Sequence, residues 1–256
     1  MTSIHAAAGK GFAAEAATYV RGRPDYPVEL LPWLERELRI GPGKTAVDLG
    51  AGTGKFTRLL ARTAATVVAV EPIAQMRARL AAEQPTIRTL QGTAEAIPLA
   101  AGSVDAVVCA QAFHWFATAA ALREIRRVLC PGGRLGLVWN VRDESVDWVA
   151  EITRIITPFE GDAPRFYKGD WRKPFASGLF DELQMASFDY RHVGPAREVI
   201  SDRFMSVSFI AVLPAAQKAG VEERLRALVA THPQLRGRDL VEFPYRTQAY
   251  CCTVAA

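Results

Sequence analysis

The segment Val47-Asp48-Leu49-Gly50-Ala51-Gly52-Thr53-Gly54 constrains this chain more than any other. A short apolar run breaks into three glycines on alternate positions and then passes into a helical pattern. A strand that turns straight into a helix brings backbone amides to the mouth of a sheet. Glycines there let the chain turn tightly and let a ligand lie against bare backbone. The fold that uses such a turn is an α/β sheet whose ligand sits at the carboxyl ends of the strands.

The surrounding pattern agrees. Helical spacing at 28–39, 55–62, 73–83 and 117–129 alternates with apolar runs at 45–49, 65–70, 86–91, 104–109 and 134–139. Runs of five or six apolar residues with helices between them imply a parallel sheet covered on both faces. Pro131-Gly132-Gly133 is expected to stop the helix before the fifth strand. The rhythm breaks after Asn140. Residues 141–180 carry Trp148, Phe159, Phe166, Tyr167, Trp171 and Phe175 with no strand pattern, and read as a helical and irregular insertion. Strands at 183–193 and 241–254 flank a helix at 214–230. The expected organisation is one domain: a helical cap at 1–40, a ligand-binding core at 41–140, a lid at 141–180, and strands and helices completing the sheet at 181–256.

Composition bounds the function. The 256 residues, half of them hydrophobic and 23% charged, describe a globular chain rather than a disordered one. The net charge of +4 is mild and its arginines are scattered, unlike the clustered basic face of a nucleic-acid protein. No apolar run reaches the ~18 residues of a membrane span. His5, Lys10 and Glu15 interrupt the Ala-rich start, so no signal-peptide core is expected. Four cysteines, two of them the neighbours Cys251 and Cys252, give neither a CxxC pair nor a disulfide framework, which points to a reducing cytoplasmic setting. His5, His192 and His232 are isolated in sequence, and no His/Cys/Asp spacing suggests a metal site. The sequence carries no signal of oligomeric state.

Three nucleotide-type readings compete for the turn. A phosphate-binding P-loop needs a Gly where Leu49 stands and Ser or Thr where Phe56 stands. A dinucleotide fingerprint needs a third Gly where Lys55 stands. The pattern present is Asp-x-Gly-x-Gly-x-Gly. A purely structural glycine turn is the fourth possibility. Glu71, at the end of the second strand and 21 residues after Gly50, is placed to accept hydrogen bonds from the two hydroxyls of a ribose.

The turn resembles motif I of the class I S-adenosylmethionine-dependent methyltransferases. The stretch 91–116, ending in Gln111-Ala112-Phe113-His114-Trp115-Phe116, is similar to the branch called methyltransferase type 11. Within that branch, the sub-branch of trans-aconitate-methyltransferase-like proteins has a comparable segment. Tyr19-Val20-Arg21-Gly22-Arg23-Pro24-Asp25-Tyr26-Pro27 resembles its N-terminal entry. The likeness covers about 12–140 well, and Phe243-Pro244-Tyr245-Arg246-Thr247 matches loosely.

The resemblance implies a Rossmann-like doubly wound sheet of seven strands, the last antiparallel, and methyl transfer from S-adenosyl-L-methionine to a small molecule. It assigns the donor to Asp48, Gly50, Ala51, Gly52, Thr53, Glu71, Pro72, Met76, Thr93, Ala94, Glu95 and Gln111, with Tyr19 and Arg23 closing over its methionine end. A solvated N-terminal helix is the alternative for the last two. Many relatives carry Asp where Thr93 stands, so backbone amides near Ala94, with Glu95 close by, are expected to meet the adenine. Phe113, His114, Trp115, Trp139, Tyr167 and Trp171 are the candidate acceptor wall.

His114 has two readings: a general base, because an imidazole titrates near neutrality, or a histidine packed between Phe113 and Trp115. Oxygen, nitrogen and carbon acceptors all fit, with carboxylate O-methylation favoured by the resemblance. The rivals are a catalytically silent S-adenosylmethionine-binding protein and an NAD-dependent oxidoreductase, the latter disfavoured by Lys55 and by the lack of a Tyr-x-x-x-Lys pair.

Overall fold

Runs of Val, Ala and Leu with no polar face form stable strands only when both faces are covered. A computed structural model describes residues 22–255. Its strands are β1 (Thr45–Leu49), β2 (Thr66–Val70), β3 (Arg88–Leu90), β4 (Val104–Ala110), β5 (Leu129–Arg142), β6 (Gln184–Gly194) and β7 (Val241–Thr253). They form one sheet in the order β3-β2-β1-β4-β5-β7-β6. β1 is parallel to both β2 and β4, with Val47 opposite Val68 on one side and Val107 on the other. The pairs β2–β3 and β4–β5 are also parallel, and the last strand is antiparallel. This is the α/β, Rossmann-like sheet expected from the sequence. β1, β2 and β4 are buried almost throughout. β6, at the end of the order, alternates between exposed and half-buried residues.

The helices are α1 (Leu30–Glu37), α2 (Lys55–Ala61), α3 (Ala74–Glu83), α4 (Ala119–Val128), α5 (Asp147–Ile156) and α6 (Ala215–Thr231). α4 begins where the Thr118 hydroxyl accepts the Ala121 N–H at 3.1 Å. No described helix is long and apolar enough to cross a membrane. One expected boundary needs correction. β5 begins at Leu129 rather than 134. Val104 pairs with Leu129 and Ala106 with Arg134, so Pro131-Gly132-Gly133 bulges out of the strand instead of preceding it.

The chain divides into two compact units. The first comprises Tyr26–Asn140, Pro164–Phe188 and the residues from Thr247 onward. Leu30, Trp33 and Leu34 on α1, with Phe56, Leu59 and Leu60 on α2, share its core with Val67, Ala106, Val108 and Val138 of the strands. The second comprises the described residues before Tyr26, Val141–Ala163 and Asp189–Arg246. Its core takes Trp148, Val149, Ile152, Ile155 and Ile156 from one face of α5, together with Phe204, Ile210, Leu225, Phe243 and Tyr245.

The segment 141–180, expected as one lid, is therefore split. Residues 141–163 carry α5 into the second unit. Residues 164–180 join the first as tight turns at Phe166–Lys168 and Asp170–Ser177. Its aromatics separate accordingly: Trp148 and Phe159 pack in the second unit, and Phe113 and Phe180 flank Phe175 in the first. Helical turns between Arg197 and Ala211 had no counterpart in the sequence reading, because each is too short to show a period.

α1 lies close over β5 only because Gly136 has no side chain. A Cβ there would stand 2.5 Å from Leu38 Cδ1, in a fully buried position. Gly136→Ala is expected to cost about 1–3 kcal/mol in urea unfolding, the usual range for overpacking. Adding Leu38→Ala is expected to cost less on the Gly136→Ala background than on wild type. Additive losses would show that the contact is not the cause.

Candidate functional site

The three glycines of the turn serve three different purposes. The turn is tied to the end of β2 by Gly50 N–H and Ala51 N–H, both donating to the Val70 carbonyl at 2.8 and 3.2 Å. A Cβ on Gly50 would meet Ala112 Cβ at 2.8 Å, so that glycine lets the segment after β4 close against the turn. Gly54 has φ +85°, and a Cβ there would lie 2.3 Å from Gln84 Nε2 and 2.8 Å from Leu80 Cγ of α3. Gln84 Nε2 also donates to the Gly54 carbonyl at 2.8 Å. Gly52 differs: at φ +59° the nearest atom to a Cβ would be Met76 Sδ at 3.9 Å. Protein fills the space beside Gly50 and Gly54, and leaves it open above Gly52.

That contrast gives a paired prediction. Gly54→Ala should lower stability by more than 1 kcal/mol, since strain and collision add. Gly52→Ala should cost only the backbone strain, about 1 kcal/mol, yet weaken S-adenosylhomocysteine binding at least tenfold in calorimetry. Normal binding by folded Gly52→Ala would leave that glycine a turn residue only.

Asp48, on β1 just before the turn, is 1% exposed. Thr57 Oγ1 donates to its Oδ2 at 2.6 Å, while Oδ1 is buried with no hydrogen-bond partner. Burial pushes the carboxyl up to about 7. The Thr57 bond opposes the rise, and the neighbouring charge of Glu71 adds to it. A carboxyl whose folded value lies above its unfolded value stabilises the fold while protonated. That contribution is full below about pH 4 and is lost as pH rises through about 7. Asp48→Asn keeps a carbonyl for Thr57 and carries no charge. It should flatten the fall in stability across this window and gain up to about 4 kcal/mol at pH 8, read by urea unfolding. A slope equal to that of wild type would show that Asp48 keeps an ordinary value.

Glu71 follows β2 and is buried. Its Oε2 accepts the Gly52 N–H and its Oε1 accepts the Ile73 N–H, each at 2.8 Å. Burial raises this carboxyl, the two amide bonds oppose the rise, and Arg77 lowers it further. Arg77 Nη1 donates to the Glu71 and Pro72 carbonyls at 2.9 and 3.2 Å. Glu71 thus joins the glycine turn to the entry of α3. Ala51, Thr53, Met76 and Ala94 are buried around this region, and Glu95 is half-buried. Thr93 and Ala96 close a tight turn, Ala96 N–H donating to the Thr93 carbonyl at 3.2 Å, and Thr93 Oγ1 is buried without a hydrogen-bond partner.

At the end of β4, Gln111 adopts φ +54°, a conformation side chains rarely take. Its N–H donates to the Val138 carbonyl at 2.8 Å and its Nε2 to the Asn140 carbonyl at 3.1 Å. Asn140 Oδ1 in turn accepts the buried Thr247 hydroxyl at 2.6 Å. The next turn, Phe113–Trp115, presents His114. Trp139 Nε1 donates to His114 Nδ1 at 3.1 Å. Phe116 also faces Gly50, so the turn carrying His114 lies directly against the glycine turn.

The expected acceptor wall is only partly brought together. Phe113, His114, Trp115 and Trp139 are neighbours. Trp139 and Trp171 are 1% and 2% exposed, their rings tilted by 38° with centres 4.6 Å apart, and both indole N–H groups are bonded inside the protein. They form a packed core with Phe166 and Tyr250 rather than a pocket lining. Tyr167 is 59% exposed and stands apart. Arg23 belongs to the second unit, where its Nη2 donates to the Ser206 carbonyl at 3.0 Å. Tyr19 lies outside the described residues. Among the described residues no group of three or more His, Cys, Asp or Glu could hold a metal ion.

Sequence reasoning missed Thr57, Arg77, Gln84 and the Asn140–Thr247 pair. Only Thr57 had a signal, as a hydroxyl in the first turn of the helix after a glycine turn. The others depend on long-range pairing. The residues present fit S-adenosylmethionine: open space over Gly52, a carboxylate at Glu71, and unpartnered buried oxygens at Asp48 and Thr93.

Comparison with known proteins agrees. Residues 47–137 match the family model described as "Methyltransferase domain". A methyltransferase-like protein of Schizosaccharomyces pombe is 37% identical, over 94% of this chain and 94% of its own. A methyltransferase of Mycobacterium bovis is 40% identical, over 95% of this chain and 96% of its own. The solved structure of a putative type II methyltransferase from Anaeromyxobacter dehalogenans superposes with a TM-score of 0.60 at 23% identity, covering 91% of this chain and 97% of that one.

Proposed function

Because the chain belongs to the class I S-adenosylmethionine-dependent methyltransferases, we propose that it methylates a small molecule at an anionic oxygen, a carboxylate above all. S-adenosylmethionine supplies a methyl group already activated by its sulfonium. The chain's own work is to hold and orient. Each Glu71 oxygen accepts one backbone N–H and retains acceptor capacity for a ribose hydroxyl. Gly52 offers bare backbone beside the methionine part. Backbone amides near Ala94, with Glu95 close by, would meet the adenine, and the buried Thr93 hydroxyl has no partner within the protein.

One observation carries the choice of acceptor. An indole N–H is a donor only, so the Trp139 bond means that His114 Nδ1 holds a lone pair. The proton of the neutral imidazole then sits on Nε2. In that tautomer Nε2 donates a hydrogen bond and cannot remove a proton. A carboxylate needs no base, and the resemblance to carboxylate methyltransferases supports the same reading. His114 therefore acts as an orienting donor.

The test uses the label itself. Protein incubated with methyl-labelled S-adenosylmethionine and a metabolite extract should yield product that releases labelled methanol in mild alkali, as methyl esters do. Label that survives alkali would mean an ether, amine or carbon product and would sink the proposal. With the acceptor in hand, His114→Asn should raise KM with little change in kcat or in the pH profile. A fall in kcat of a hundredfold or more, with loss of the rise between about pH 5.5 and 7.5, would restore the base reading.

A further inference from the structure

The second unit contains a buried cation that the methyl-transfer reading does not use. Arg203 is 8% exposed. Its Nε donates to the Tyr245 hydroxyl at 3.2 Å, and its Nη1 is buried with no hydrogen-bond partner. Among the described residues no carboxylate pairs with it. Tyr245 is itself buried, packed at 4.8 Å on Phe243, and lies in the 243–247 motif that the donor site leaves unexplained.

Other cations gather on the same segment. The guanidinium of Arg203 lies 5.3 Å from the centre of the Phe204 ring, and that of Arg142, which pairs with Glu144 at 3.6 Å, lies 5.7 Å from it. Arg23 reaches the Ser206 carbonyl. The placement is enforced by backbone: a Cβ on Gly22 would stand 2.4 Å from Arg203 N, so the chain before Arg23 presses directly on Arg203.

A guanidinium cannot shed its proton to escape burial. An uncompensated buried charge costs several kcal/mol and is normally paired. A planar fork with open N–H groups suits the paired oxygens of a carboxylate or phosphate.

We propose that Arg203, positioned by Tyr245, binds an anion, and that the second unit takes up a small molecule there through a carboxylate or phosphate group. The site is independent of the methyl-transfer reading.

The test is thermal shift and calorimetry on the full chain with inorganic phosphate and with succinate, each against sodium chloride at equal ionic strength. One of the two should raise Tm and bind saturably, and whichever is stronger identifies the oxyanion. Arg203→Gln should lose at least tenfold in affinity for it, while S-adenosylhomocysteine stabilises both proteins alike, which separates this site from the donor site. Arg203→Lys should keep weaker binding. If Arg203→Gln fails to fold, Tyr245→Phe replaces it, and a several-fold loss is expected. No effect of either anion beyond chloride overturns the proposal. So does undiminished binding by Arg203→Gln, or by Tyr245→Phe where it stands in.

Discussion

The Glu71 carboxylate is the tie on which the glycine turn depends. One oxygen holds the N–H of Gly52 and the other the N–H of Ile73, while the Glu71 N–H itself donates to the Leu90 carbonyl of β3. One residue thus ties the glycine turn and the start of α3 together through its side chain, and joins them to the edge of the sheet through its backbone. Two backbone amides oppose the cost of burying its charge, and Arg77 secures the carbonyl behind it. The residue that would read the ribose also builds the loop that would carry the rest of the donor. Losing it would remove geometry as well as a contact, so its replacement cannot be read as one lost hydrogen bond.

The sheet and the turn were legible because each rests on local chemistry. β1, β2 and β4 are mainly apolar runs, and Gly50, Gly52 and Gly54 mark the break, so element boundaries there hold within two residues. β5 was misjudged because Pro131-Gly132-Gly133 is a strong stop signal locally, yet pairing of Leu129 with Val104 carries the strand around it. The single-lid reading of 141–180 failed for a related reason. Its aromatics look alike in sequence, and only long-range packing sends Trp148 to Phe243 and Trp171 to Trp139.

Side-chain roles followed the same division. Spacing from the turn is what singles out Asp48 and Glu71, and both are buried beside it. The Trp139–His114 bond, spanning 25 positions, has no signal in the sequence, and it leaves His114 Nδ1 as an acceptor. In sequence, Trp139 and Trp171 fit a pocket wall as well as a core, because aromatic residues suit both. Their near-complete burial and satisfied N–H groups settle that they pack.

Two buried ionisable groups show how the same physics gives opposite demands. Asp48 and Arg203 each have a polar atom out of reach of water and without a partner. A carboxyl has an exit: it can take up a proton and become neutral, and burial moves Asp48 in that direction. A neutral Asp48 removes the repulsion that its charge would otherwise share with Glu71. A guanidinium has no such exit at any pH a protein survives. Its charge must be answered from outside itself, and Tyr245 supplies only a neutral dipole. For aspartate a proton removes the charge. For arginine only an anion can answer it, which is the role proposed for the ligand of Arg203.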